Sequence, residues 1–150
     1  MRKMRRTNMD NEPKDKRNIG RNQIVSNAGL YYVCYELSKR GWNSLPTTRN
    51  ARGIDIVIYN RDGTKMHTIQ VKALTSDKSP APFGSTLDNL IAEYIIVVNN
   101  VLDAPNLYIV DTETAKELIH KGEKDGRKSY WFQFKDYKKF KDNWSVLGES

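Results

Sequence analysis

Residues 54–73 decide the fold. They read Ile54-Asp55-Ile56-Val57-Ile58-Tyr59, a β-branched run; then, beyond Asn60, Arg61-Asp62-Gly63-Thr64; then, beyond Lys65, Met66-His67-Thr68-Ile69-Gln70-Val71-Lys72-Ala73, a second run. An Asp-Gly pair between two such runs predicts a β-hairpin. With Asp62 and Gly63 at its centre, Tyr59 opposes Met66, Ile58 opposes His67, Ile56 opposes Ile69 and Asp55 opposes Gln70. A three-residue loop would slip this register, and a four-residue loop would keep it. Opposed residues share a face with Cβ atoms about 5 Å apart, and Lys72, two positions past Gln70, falls on that face too. The expected hairpin has one apolar side (Ile54, Ile56, Ile58, Ile69, Val71) and one side that carries a carboxylate, an amide and an ammonium.

Those three groups suit phosphodiester chemistry. A hard divalent ion takes oxygen ligands, and Mg²⁺ commonly draws one or two of them from protein and the others from water and phosphate. Asp55 and the Gln70 amide oxygen offer two. Lys72 would orient or activate the attacking water, or offset charge that grows on the phosphoryl oxygens. The competing readings are structural. Asp55 could cap or pair within a strand, although aspartate is depleted there, and Lys72 could be paired on a central strand.

Outward from the hairpin, Val25, Leu30, Val33, Cys34 and Leu37 recur at helical spacing, which predicts a helix over 22–40 that ends at Gly41. Gly29 inside it costs up to about 1 kcal/mol of helix propensity, so a start near Ser26 or a local irregularity is expected. A short strand spans 42–48, closed by the basic turn Arg49-Asn50-Ala51-Arg52-Gly53. Beyond the hairpin, 74–85 reads as a Ser/Pro/Gly-rich loop and 86–92 as a short helix capped by Thr86. Strands follow at 94–98 and 106–110. A helix capped by Asp111 or Thr112 runs to His120, with Gly122 just past its end. A strand at 129–134 precedes a last helix that puts Tyr137, Phe140 and Trp144 on one face. Helices interleaved with a mixed sheet place the chain in the α/β class.

Gly53-Ile54-Asp55 and Gln70-Val71-Lys72, joined by a hairpin, resemble the PD-(D/E)xK nuclease superfamily, which includes restriction endonucleases and Holliday-junction resolvases. The resemblance covers roughly residues 22–110. It implies a restriction endonuclease-like core (helix, three-stranded meander, helix, strand) with a mixed central sheet, to which this chain adds a C-terminal strand and helix. It also implies Asp55, Gln70 and Lys72 as catalytic residues, with Asp55, Gln70 and the Val71 backbone carbonyl holding Mg²⁺ or Mn²⁺, DNA as the partner, and a homodimer by analogy. The strings Arg-Asn-Ala-Arg-Gly-Ile-Asp and Gln-Val-Lys-Ala-Leu further resemble a group of bacterial proteins. Gln70 stands where an acidic residue is usual, and Leu30 stands where the first helix of many members brings a glutamate. Glu36, two turns on, is the substitute to test against a solvated helix-face reading.

Around this centre the charge is uneven. The chain carries a net +7. Residues 1–21 hold eight Lys/Arg against three Asp/Glu, residues 121–141 again eight against three, and residues 22–120 nine against ten. Basic ends around a neutral middle suit a protein that grips a polyanion at its flanks and treats it at its centre; solubility alone is the plainer reading. Residues 1–18 lack apolar periodicity and read as a disordered basic arm, which leaves 19–150 as one nuclease-like domain. Arg49 and Arg52 beside the hairpin, and Lys78 and Ser79 in the loop after Lys72, are candidate phosphate contacts; that loop either covers substrate or merely connects. The aromatic segment 130–144, interleaved with lysines, reads as core before it reads as a base-stacking surface.

No apolar run approaches the ~20 residues that span a bilayer, no signal-peptide core follows the basic N-terminus, and the single thiol, Cys34, fits a reducing cytoplasm. Two functions remain open: a metal-dependent nuclease-like domain that hydrolyses DNA phosphodiester bonds, or a nucleic-acid-binding module or accessory subunit of the same fold without turnover.

Overall fold

The computed structural model describes residues 14–48 and 52–150. Of the expected disordered arm, residues 1–13 lie outside the described residues; from Lys14 the chain is already helical, and α1 spans Lys14–Lys39. Lysine and arginine are good helix formers, so an absent apolar stripe does not forbid a helix.

Three strands follow: β1 (Asn43–Pro46), β2 (Ile56–Tyr59) and β3 (Met66–Ala73). The hairpin register is the expected one over 56–59, with Ile56 opposite Ile69, Ile58 opposite His67 and Tyr59 opposite Met66. The expected Asp55–Gln70 pair does not form, because β2 begins at Ile56 and Asp55 N–H donates to the Ile69 carbonyl instead. Asn60 N–H donates to the Lys65 carbonyl at 3.0 Å, so the connection is the register-preserving four-residue loop. Within it the Asp62 carboxylate accepts from Thr64 N–H at 3.2 Å and from Thr64 Oγ1 at 2.7 Å.

Beyond β3 the connection departs from expectation. Residues 81–84 form a strand, β4, and turns replace the helix expected over 86–92. Pro82 argues against a central strand, but β4 is an edge, where the missing N–H costs nothing. Strands β5 (Tyr94–Asn99) and β6 (Asn106–Asp111) complete a five-stranded sheet in the order β1-β2-β3-β5-β6, in which only β3 and β5 are parallel.

Helix α2 (Thr112–Leu118) is capped by Asp111, whose carboxylate accepts from Thr114 N–H at 2.9 Å. It ends before His120, and Gly122 does not terminate it. His120–Lys124 is instead strand β7, paired with β8 (Arg127–Phe132) across Asp125 and Gly126, both at positive φ. With β4 these make a second sheet, ordered β4-β8-β7. Helix α3 covers only Phe134–Tyr137, and two 3₁₀ turns follow at 138–140 and 144–147.

The central sheet is covered on both faces. Val33 and Leu37 of α1 pack with Ile56, Ile58, Ile69, Ile96 and the C-terminal Leu147 on one face. On the other, Ile95, Val97 and Val110 meet Ala115, Phe132 and Tyr137. The expected single face of Tyr137, Phe140 and Trp144 is therefore split: Tyr137 and Phe140 join the second cluster, while Trp144 packs on the first. Gly29 lies where α1 crosses β3, and a Cβ there would stand 2.5 Å from that of Ala73. The helix tolerates a weak former because only glycine permits this approach. Among the described residues no helix is long and apolar enough to cross a membrane.

Candidate active site

The site forms where β3 changes partners. Residues 66–69 pair with β2, and residues 69–73 pair with β5. β2 begins only at Ile56, so the β2-side edge of β3 is open beyond Ile69. Asp55 occupies the first position of that opening. Its N–H donates to the Ile69 carbonyl at 2.9 Å, its carbonyl accepts from Thr47 N–H at 2.9 Å, and its Oδ2 accepts from Val71 N–H at 2.7 Å. A carboxylate thus takes the N–H that a longer β2 would have used, which leaves Oδ1 without a protein hydrogen bond among the described residues.

The N–H and C=O of one strand residue point to the same side. The Val71 carbonyl accordingly faces the open edge with its N–H. Gln70 and Lys72 project to the face away from α1, opposite Ile95 and Val97 of β5. Gln70 Oε1 is fully buried with no hydrogen-bond partner among the described residues, an expensive arrangement for a polar atom unless something further satisfies it. Lys72 is largely buried, and its Nζ lies 4.7 Å from the Phe83 ring centroid. Among the described residues no carboxylate pairs with it. Burial holds its pKa below the ordinary lysine value, while the nearby Asp55 charge pushes the other way.

A cavity of about 490 Å³ opens over these groups. Asp55, Gln70, Val71 and Lys72 form one wall. Gln23, Ser26, Asn27 and Leu30, at helical spacing along α1, form the opposite one. Two adjoining concavities, of about 460 and 310 Å³, also include Lys72, so this residue borders all three. Leu30 faces the cavity from the position where the resemblance expects a glutamate. The polar groups α1 supplies, Ser26 and Asn27 with Gln23, escaped the sequence reading. A polar stripe offset from the Val25-Val33-Leu37 stripe was the signal for them.

Other sequence candidates lie elsewhere. Glu36 is neither a metal ligand at this cavity nor solvated: it is 7% exposed and bonded to Arg40 at 2.6 Å and Lys39 at 3.2 Å. Its carboxyl meets a burial penalty, but these two cations outweigh it and lower its pKa. Arg49 lies outside the described residues. Arg52 is exposed in the turn before Gly53. Ser79 borders the second concavity beside Lys72, whereas Lys78 lines a separate one with Trp131. The loop after Lys72 is tied down by several bonds. Ser79 carbonyl accepts from Tyr137 Oη–H at 2.7 Å, and the Asp77 carbonyl accepts from Asn99 Nδ2 at 2.7 Å. It is a fixed wall. His67 is satisfied within the fold, with Nδ1 2.9 Å from Glu93 Oε2 and Nε2 3.1 Å from the Leu147 carbonyl.

Among the described residues no group of three or more His, Cys, Asp or Glu side chains could hold a metal ion. The oxygens gathered here are of a different kind: one carboxylate, one orphaned amide oxygen and one backbone carbonyl. All are hard donors that fit Mg²⁺ or Mn²⁺.

No family model matches the chain, and no curated protein matches it. Among solved structures it is similar to Hjc, a Holliday junction resolvase of the archaeal hyperthermophile Archaeoglobus fulgidus. The TM-score is 0.58 over 83% of this chain and 97% of that one, at 17% identity. The fold is restriction endonuclease-like. At that identity the likeness speaks for the architecture, and the chemistry rests on the residues themselves.

Proposed function

We propose that the chain is a metal-dependent nuclease-like domain that hydrolyses DNA phosphodiester bonds at the open edge of β3. The observation that carries this reading is the buried, unpartnered Gln70 Oε1 beside the Asp55 carboxylate and the unpaired Lys72 ammonium. Such a set beside one cavity favours a ligand-binding role, although Ser44 Oγ and Trp144 Nε1 are also buried without a partner among the described residues. The basic ends and the resolvase-like fold favour a polyanionic partner.

In this reading Asp55, Gln70 and the Val71 carbonyl hold Mg²⁺ or Mn²⁺. When bound, the ion supplies Lewis-acid polarisation of the phosphate and lowers the pKa of a water. The chain's own groups do the rest. The Asp55 carboxylate is pinned by Val71 N–H, so its free oxygen has a fixed direction. Lys72 borders the cavity and stabilises negative charge on the phosphoryl oxygens as water adds and one P–O ester bond breaks. Its half-apolar surroundings strengthen that interaction. Ser26 and Asn27 face the same space and can position water.

One observation favours a second reading. With Leu30 on the α1 wall, a single carboxylate among the described residues faces the cavity, and a site of low charge holds a divalent ion weakly. A binding module without turnover would look the same. The two separate when the full chain is incubated with plasmid, branched and single-stranded DNA in Mg²⁺ or Mn²⁺ beside Lys72→Ala. Cleavage that falls by about 10²-fold or more in the variant, with unchanged circular dichroism, supports the enzyme. Salt-sensitive binding with no cleavage by the unaltered chain supports the module.

A further inference from the structure

The aromatic-rich segment divides between two faces. On β8, Phe132 is fully buried in the core, so its neighbour Trp131 points out of the other side of the small sheet. Helix α3 reaches the edge of that face through Asp136, whose Oδ2 lies 2.9 Å from His120 Nε2. Trp131 is only partly buried, and its cross-strand neighbours are His120 on β7 and Pro82 on β4. The His120 ring stacks nearly parallel to the indole, at 19° and 5.8 Å between centroids. A Cβ at Gly122 would stand 2.9 Å from indole Cζ3. The ring therefore lies down on the β7 backbone, at a place where only glycine leaves room.

Cations flank it on both sides. Trp131 borders a concavity of about 670 Å³ with Lys124, Arg127 and Lys128, and a second of about 370 Å³ with Lys78 and Lys135. Five cations face two acids, Glu123 and Asp125, across these two hollows, and a third acid, Asp136, is held by His120 beside the indole. A flat aromatic surface between cationic hollows matches a nucleic-acid strand, whose bases stack while its phosphates pair. Duplex DNA hides its base faces, so the complementary form is an unpaired stretch.

We propose that this outer face binds unpaired DNA, with one base stacked on Trp131 and the adjoining phosphates on Lys78 and Lys135 to one side and Arg127 and Lys124 to the other. Pro82 links this surface to the cavity region described above, because it opposes Trp131 on β8 and also lines the concavity of about 460 Å³ that includes Lys72. The inference deepens the nuclease reading by naming a strand feature that the protein recognises beside the bond it cuts, yet binding can be read without cleavage.

The test titrates the full chain, in EDTA, into a fluorescein-labelled oligothymidine 12-mer and a 12-base-pair duplex, followed by fluorescence anisotropy. Trp131→Ala should weaken single-strand binding about tenfold, as expected for the loss of one stacked base, and Trp131→Phe should recover most of it. The paired change Lys78→Gln/Lys135→Gln, which leaves the small sheet's core intact, should also weaken single-strand binding and reduce its salt dependence. Duplex binding should change less than about twofold with either Trp131 variant. Single-strand binding unaltered in Trp131→Ala and in the double glutamine variant overturns the proposal, as does equal loss for both DNA forms in folded variants. If the unaltered chain cleaves nothing but still binds the 12-mer through Trp131, the catalytic reading fails and this one stands.

Discussion

The two halves of β3 are built from similar residues and do opposite work. In residues 66–69, each polar group that points inward has a partner: Thr68 Oγ1 accepts from Glu93 N–H at 3.0 Å, and both His67 nitrogens are engaged. Ile69 is fully buried between α1 and the sheet. In residues 70–73 the inward groups are left wanting, with Gln70 Oε1 orphaned and Lys72 unpaired. The difference comes from where β2 begins. One stretch of ladder stabilises the fold, and the absence of the next pairing leaves an open edge. In the proposed reading, stability and function are separated by one residue along a single strand.

Three substitutions test that division. The largest effect is expected at the paired half: Ile69→Ala should cost about 2–5 kcal/mol in urea unfolding, with any cleavage tracking only the folded fraction. A loss of activity far beyond the unfolded fraction would break the separation. At the open half, Gln70→Glu supplies a second carboxylate. It should lower the Mg²⁺ concentration for half-maximal cleavage by roughly tenfold, and an unchanged metal dependence would remove Gln70 from the ion. The smallest effect is a pH slope. The folded pKa of Lys72 lies below its unfolded value, so between the two the unfolded chain holds a proton that the folded chain lacks, and stability rises with pH. Lys72→Met lacks this slope. It should be more stable than the unaltered chain below the lowered pKa, with the gap narrowing as pH climbs toward the ordinary lysine range. A gap constant with pH would mean that the ammonium is not penalised by burial.

The hairpin was legible because its information is local: turn residues, β-branching and a period of two settle the register without knowledge of the rest. The same Asp-Gly signal at Asp125-Gly126 marks the β7–β8 turn, but reading Gly122 as a helix terminator hid it. Strand β4 was hidden for another reason. Ala81-Pro82-Phe83-Gly84 looks like loop on its own, and it becomes a strand only by pairing with residues about fifty positions later. The candidate site was half legible. Sequence put Asp55, Gln70 and Lys72 on one face, whereas the α1 wall depends on how the helix crosses the sheet, which no local pattern encodes. Glu36 shows the converse hazard, since a plausible acid at a plausible spacing is consumed by its own helix neighbours.

The contact between Gly29 and Ala73 has a consequence for the cavity three residues away. Helix and strand touch there through little more than hydrogen atoms, so that contact works as a gauge for the crevice that Ser26 and Asn27 share with Asp55. Its aperture is fixed by a side chain that is missing, and a single methyl group at position 29, itself chemically inert, would wedge the two walls apart.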